Sequence, residues 1–250
     1  LLCLFFCLLF GNLQPGWAKE CGINLSHSKE KVGYRWIYDG DTIQLNDGRK
    51  LRLIGIDTPE IGKKGNKSQP YARKAKQALK RLLATNKNIF LSYDEEKKDR
   101  YGRLLAYAFL TDGTDIQAEL IAAGLAISIV VGVNDANLSC YRILEQKARQ
   151  QKQGLWSLQE YRFRPASNKK VRSEYAFYRG KITRVKKAKR YWNVDLNNSI
   201  EVRISKKIVP SLNFNLEDSV NKSIQVRGPL KRYKKRNRVW VYHMANIKLE

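Results

Sequence analysis

The chain has 250 residues, 43% of them hydrophobic and 28% charged, which suits one large or two small folded domains and excludes disorder as the default. Lys and Arg number 48 against 23 Asp and Glu, a formal charge of +25. An excess of that size draws polyanions, nucleic acid before an anionic membrane surface, and outranks a surface kept basic for solubility.

The charge is unevenly placed. Residues 166–250 hold 22 Lys and Arg against 6 Asp and Glu, a net +16, so the acids concentrate in the first half. A carboxylate site can be built there, while the second half is the stronger electrostatic patch.

Residues 1–18 carry no charge and run from Leu-Leu-Cys-Leu-Phe-Phe-Cys-Leu-Leu-Phe to Gly16-Trp17-Ala18. A short apolar core closed by small residues reads as a secretory signal cut after Ala18, and it is too short to span a bilayer of about 30 Å. A secreted or periplasmic protein is expected. Cys3 and Cys7 leave with the signal, and Cys21 with Cys140 remain, an even pair that suggests one disulfide in an oxidising compartment.

Val32–Tyr38 and Thr42–Leu45 read as strands separated by the turn Asp39-Gly40-Asp41. Asn46-Asp47-Gly48 is a hairpin signal, and Lys50–Ile56 makes a third strand. Residues 70–84 switch to helical spacing, with Ala72, Ala75, Leu79, Leu82 and Leu83 on one face and Pro70 in the first turn. Ile89–Tyr93 and Leu104–Leu110 resume the strand pattern. Asp115–Ala123 reads as a short helix ended by Gly124, and Asn137–Gln153 as a longer one ended by Gly154.

Five strands with a helix inserted after the third fit a five-stranded OB-fold barrel with packed helices, a mainly β, α+β architecture spanning 30–158. Residues 159–174 read as a linker. Beyond them, Phe177–Val185, Tyr191–Leu196, Ile200–Ile204, Ile224–Leu230 and Val239–Ile247 predict a second small β-rich domain over 175–250, a candidate for a second OB-like barrel.

The chemistry gathers in the first domain. Arg52 sits inside the apolar run Leu51–Ile56, where a guanidinium is costly unless an anion meets it. Asp57 and Glu60 follow where that strand stops, and Asp41 ends the earlier turn of the same meander. Two carboxylates, Asp41 and Asp57, with a backbone carbonyl such as that of Thr58, make an oxygen shell suited to Ca²⁺, with Mg²⁺ as competitor. His27 and His243 stand in no ligand spacing, which argues against zinc and against a histidine base. Glu60 is then the group available to activate water, with Asp39 as an outer acid. Arg52 and Arg103 can hold a phosphate and stabilise charge that builds during in-line attack.

These residues, in this order, resemble the staphylococcal nuclease (thermonuclease) family. The resemblance runs from about Val32 to Trp156. It rests on Asp39-Gly40-Asp41-Thr42, on Arg52 through Glu60, on Asp99-Arg100-Tyr101-Gly102-Arg103, on Gly124-Leu125-Ala126, and on Glu145 through Ser157. It implies an OB-fold, Ca²⁺-dependent endonuclease acting on DNA and RNA with low sequence specificity and releasing 3′-phosphate products. Asp41, Asp57 and Thr58 would be its metal ligands, Glu60 its general base, and Arg52 and Arg103 its phosphate-binding arginines. The family's founding member has tyrosines near the nucleotide pocket where this chain has Val130 and Gly132, so base preference is not carried over. The loop Ile61–Gln69 differs in length and composition, and residues 175–250 lie outside the resemblance as an extra basic domain.

In that domain, Lys186 through Trp192 and Lys231 through Trp240 interleave charge with aromatics, the composition of a surface for single strands. By period two, Trp240 and Tyr242 share one sheet face, which is either core or ligand-facing. The expected partners are DNA and RNA, single strands preferred, with no membrane span and a monomeric chain. The competing reading is a non-enzymatic nucleic-acid-binding protein of the envelope, against which the set Arg52, Glu60 and Arg103 argues.

Overall fold

Tight turns and alternating apolar residues give the first half its shape. The computed structural model describes residues 30–62, 65–167, 175–233 and 236–250. The signal reading over 1–18 and Cys21 of the disulfide reading lie outside the described residues; Cys140 is partly buried against the first core. The chain divides into two compact units, with the division after Leu155.

The first unit opens with β1 (Glu30–Ile37), β2 (Thr42–Leu45) and β3 (Lys50–Leu53). A short β4 (Ile56–Asp57) precedes helix α1 (Ala72–Leu83). Strands β5 (Asn88–Ser92) and β6 (Leu104–Phe109), helix α2 (Ile116–Ala122), β7 (Ile127–Ser128) and helix α3 (Leu138–Gln150) complete it. Strands β1-β2-β3-β6-β5 close into a barrel, with β3 and β6 parallel. Ile43, Leu45, Leu51, Leu53, Leu91 and Leu105 are fully buried in its core. Helix α1 buries Ala72, Ala75, Leu79 and Leu83, and Leu82 only half, on the face the spacing predicts.

One sequence expectation changes here. The third strand does not run on to Ile56. It stops at Leu53, because Gly55 takes φ 80, and β4 restarts two residues on to pair with β7 instead. A side chain at Gly55 would also reach within 2.7 Å of the Tyr141 ring.

Tyr141 belongs to a buried polar group in this core. Its hydroxyl donates to Asp115 Oδ2 at 2.9 Å, and Asp115 Oδ1 accepts from the Ala118 N–H at 2.9 Å as the cap of α2. Burial pushes the Asp115 carboxyl up to about 6, although these hydrogen bonds pull it down. A carboxyl whose pKa is raised in the folded state binds its proton more tightly there. Its contribution is full below the ordinary value of 3.8 and is lost as pH rises through about 6. Stability of the wild type relative to Asp115→Asn is therefore expected to fall by about 3 kcal/mol across that window, read from urea unfolding at several pH values. A difference that is flat with pH would contradict this.

The second unit begins with β8 (Arg164–Pro165), β9 (Tyr175–Lys187), β10 (Tyr191–Leu196) and β11 (Ile200–Ser205). It ends with β12 (Ser223–Tyr233), β13 (Arg236–Val241) and β14 (Ile247–Leu249). The order β12-β13-β11-β10-β9 closes through the β9–β12 pairing, and β11 runs parallel to β13. This is the topology of the first barrel built again, with short 3₁₀ turns where α1 stands there. Alternation sets the core: Val202 and Ile204 of β11 and Val239 and Val241 of β13 face in, their neighbours out. The final run is not one strand. β13 stops at Val241, His243 caps a 3₁₀ turn at Met244–Asn246, and β14 follows. Of the stretch read as a linker, Gln159–Tyr161 forms a 3₁₀ turn and β8 pairs with β9.

Candidate active site

Register brings the first cluster together. Thr42 of β2 stands opposite Arg52 of β3, and the Leu53 N–H donates to the Asp41 carbonyl at 2.8 Å. Asp41, one residue before β2, is thereby placed beside Arg52. The turn holding it is tightly seated, since a side chain on Gly40 would come within 2.8 Å of both Thr58 and Ala75.

Arg52 is 8% exposed and Asp41 3%. The guanidinium forks across two acids: Nη1 lies 2.9 Å from Asp41 Oδ2, and Nη2 donates to Asp57 Oδ1 at 2.9 Å. Nη1 also donates to the Leu53 carbonyl at 2.9 Å. Asp41 Oδ2 further accepts from the Thr58 N–H at 2.9 Å and the Thr58 hydroxyl at 2.8 Å. Burial alone would lower the Arg52 pKa, but the charges of Asp41, Asp57, Asp39 and Glu60 outweigh it and hold it above its ordinary value. The buried arginine that the sequence pairs with a phosphate thus meets two carboxylates of its own chain.

Asp57 is held from the other side. It pairs with Ile127 in the β4–β7 ladder, and β7 is tied to α3 by Glu145, whose Oε2 accepts from the Ser128 N–H at 2.8 Å and the Ser128 hydroxyl at 2.7 Å. Gln117 of α2 clamps the turn before Asp57. It accepts from the Ala108 N–H at 3.1 Å and donates to the Ile54 and Ala106 carbonyls at 3.3 Å each. Sequence reasoning missed Gln117 as a brace, and its only signal was one amide in the otherwise apolar face Ile116, Ala118, Leu120 and Ile121.

Glu60 is exposed, and its backbone is clamped in both directions to Gln69 at 2.9 Å. Its charge is among those that raise Arg52, which places it in the same electrostatic field. Arg103 enters β6 with its Nε donating to Asp99 Oδ2 at 2.7 Å. Burial would raise Asp99, but bonds from Arg103 and from the Arg103 and Tyr101 N–H groups hold it below its ordinary value. By the parallel register, Leu51 to Leu104, Arg103 falls on the same face as Arg52, two positions back along the neighbouring strand. The structure thus gathers Asp41, Arg52, Asp57 and Thr58 into one bonded cluster, with Glu60 in its field and Arg103 anchored separately.

The donor set around the cluster is all oxygen: the carboxylates of Asp41 and Asp57, with Asp39 adjacent. Burial first, and then the Asp41 charge, raise the Asp39 pKa, so Asp39 and Asp41 repel one another within the turn. A hard divalent cation suits that setting. Among the described residues no three His, Cys, Asp or Glu form a ready-made metal cluster, so carbonyl and water oxygens would complete the set.

The closed β1-β2-β3-β6-β5 barrel is of the OB type, and Asp41, Arg52 and Asp57 are bonded together on its strands and turns. Residues 50–158 match the model of the staphylococcal nuclease homologue family. The thermonuclease of Staphylococcus intermedius is 42% identical over 120 residues, 47% of this chain and 68% of that one. The thermonuclease of Staphylococcus hyicus is 39% identical over 148 residues, 58% of this chain and 85% of that one. Endonuclease YncB of Bacillus subtilis is 37% identical over 128 residues, 49% of this chain and 60% of that one. The chain belongs to the staphylococcal nuclease family.

Proposed function

We propose that this protein is an exported, Ca²⁺-dependent endonuclease that hydrolyses DNA and RNA with low sequence specificity. The observation that carries the reading is the Arg52 fork across Asp41 and Asp57 with exposed Glu60 in the same field. Capture alone gives no role to an exposed acid such as Glu60, which hydrolysis uses to take a proton from water. Family membership and the endonuclease and thermonuclease names of the relatives support the class.

Asp41 and Asp57, with the Thr58 carbonyl, would hold the divalent ion, Ca²⁺ before Mg²⁺. When bound, it supplies positive charge to a phosphate oxygen and offsets the acids. Glu60 accepts a proton from the attacking water, whose oxygen bonds to phosphorus as the P–O5′ bond breaks. Arg103 and the Arg52 edge meet the charge that grows on the phosphoryl oxygens. The leaving 5′ oxygen takes a proton from solvent, which yields a 3′-phosphate and a 5′-hydroxyl.

Export is supported by the apolar opening of the chain, and no described helix is long and apolar enough to cross a membrane. The test is end-group analysis of DNA cut by the full chain with Ca²⁺. Labelled 3′-phosphate ends are expected, and 5′-phosphate products would overturn the assignment of the broken bond.

A further inference from the structure

The second barrel turns a built array outward. On β10, Trp192 and Val194 face the core, and Tyr191, Asn193 and Asp195 take the other side of the pleat. β11 places Glu201 and Arg203 on that same side, and β13 places Arg236, Arg238 and Trp240 there. The pairings Asn193 to Arg203, Asp195 to Glu201, Glu201 to Arg238 and Arg203 to Trp240 make these rows one continuous face.

Two acids directly opposite each other on neighbouring strands repel. Here each is met by two arginines. Asp195 lies 2.7 Å from Arg184 and 3.0 Å from Arg236, and Glu201 lies 2.7 Å from Arg203 and 3.0 Å from Arg238. Four guanidiniums against two carboxylates leave a surplus of positive charge that is fixed in place. Arg203 is held by a hydrogen bond from its Nε to Glu201 at 2.7 Å, so its two other nitrogens are chemically able to take a phosphate, while Arg238 meets the same acid as a charge contact. Arg184 and Arg236 line a shallow cleft of about 360 Å³ with Thr183, Asp195 and Asn198.

Aromatic rings border this array. The Arg203 guanidinium lies 5.9 Å from the Tyr191 ring and 6.0 Å from the Trp240 ring. Tyr191 and Tyr242 meet edge to face with centroids 6.4 Å apart, and Tyr242 is 51% exposed. The sequence left Trp240 and Tyr242 between core and ligand, and the structure puts both outside the core, which is formed by Val239 and Val241.

We propose that this face of β10, β11 and β13 binds a single-stranded segment of nucleic acid, bases against Tyr191, Trp240 and Tyr242 and phosphates against Arg184, Arg203 and Arg236. A duplex keeps its base faces stacked inside and offers nothing to these rings, whereas an unpaired strand presents both its bases and its phosphates. The identity of that strand as substrate rests on the nuclease reading; the binding itself does not.

The test is fluorescence anisotropy of a labelled oligothymidylate with the full chain in EDTA, beside heparin binding and Ca²⁺-dependent turnover of a dinucleotide substrate. Trp240→Ala and Tyr242→Ala are each expected to weaken oligothymidylate binding about tenfold, with heparin binding and dinucleotide turnover unchanged. Arg203→Gln is expected to weaken both ligands and reduce the salt slope by about one. A melting curve checks each variant, and exposed Tyr242 decides the matter if Trp240→Ala unfolds. Oligothymidylate affinity within about twofold of wild type for the folded aromatic variants would overturn the proposal, as would an equal loss for heparin, which would mark a plain polyanion patch. If the wild type binds as described but does not cleave, the nuclease reading fails and this one stands.

Discussion

Glu60→Gln is expected to lower turnover of single-stranded DNA by roughly 10²–10⁴-fold, with the melting temperature and substrate affinity near wild type. The reason lies in how the residue is held. Its backbone is fixed by reciprocal bonds with Gln69, so the chain path does not depend on the carboxylate. The side chain is exposed, so an amide of equal size adds no void and buries no unmet group. What the variant loses is the negative charge, and with it the capacity to take a proton from water. Steady-state kinetics on a fixed-length oligonucleotide measure it, and an unchanged kcat would remove Glu60 from the mechanism.

Arg52→Met is expected to act on stability and turnover together. Asp41 is 3% exposed, and among the described residues the variant leaves its carboxylate with Thr58 and Thr42, while Asp57 loses its pairing with Arg52. Breaking one side of a buried ion pair costs roughly 3–5 kcal/mol, far above the scale of a surface pair. Turnover should fall by at least about 10²-fold, the scale of one lost donor to a transition-state oxyanion. The double variant Arg52→Met with Asp41→Asn separates the two effects. Removing both charges should restore part of the stability but none of the turnover. A stability loss for Arg52→Met below about 1 kcal/mol would show that the fork across the two acids does not hold in solution.

Much of this was legible because it is local. The turn Asp39-Gly40-Asp41, the strand bearing Arg52 and the helical spacing from Ala72 to Leu83 are each written in consecutive residues. The closure of the first barrel followed from the order of its elements. What was not legible depends on register and on long-range partners. Arg52 was read as waiting for a phosphate, and only the pairing of Thr42 with Arg52 reveals that Asp41 and Asp57 meet it first. The break at Gly55 could be suspected from the glycine alone, but that Asp57 pairs with Ile127 could not. In the second barrel, alternation placed Trp240 and Tyr242 on one face without saying which. The answer needed the parallel pairing of Arg203 with Trp240 and the burial of Val239 and Val241.

The most direct test of the account compares three reactions on one single-stranded DNA substrate: wild type with Ca²⁺, wild type with EDTA, and Glu60→Gln with Ca²⁺. The account predicts rapid cleavage in the first and little or none in the other two. Equal product in all three would contradict it, because neither the oxygen-lined acid cluster nor Glu60 would then be needed for hydrolysis.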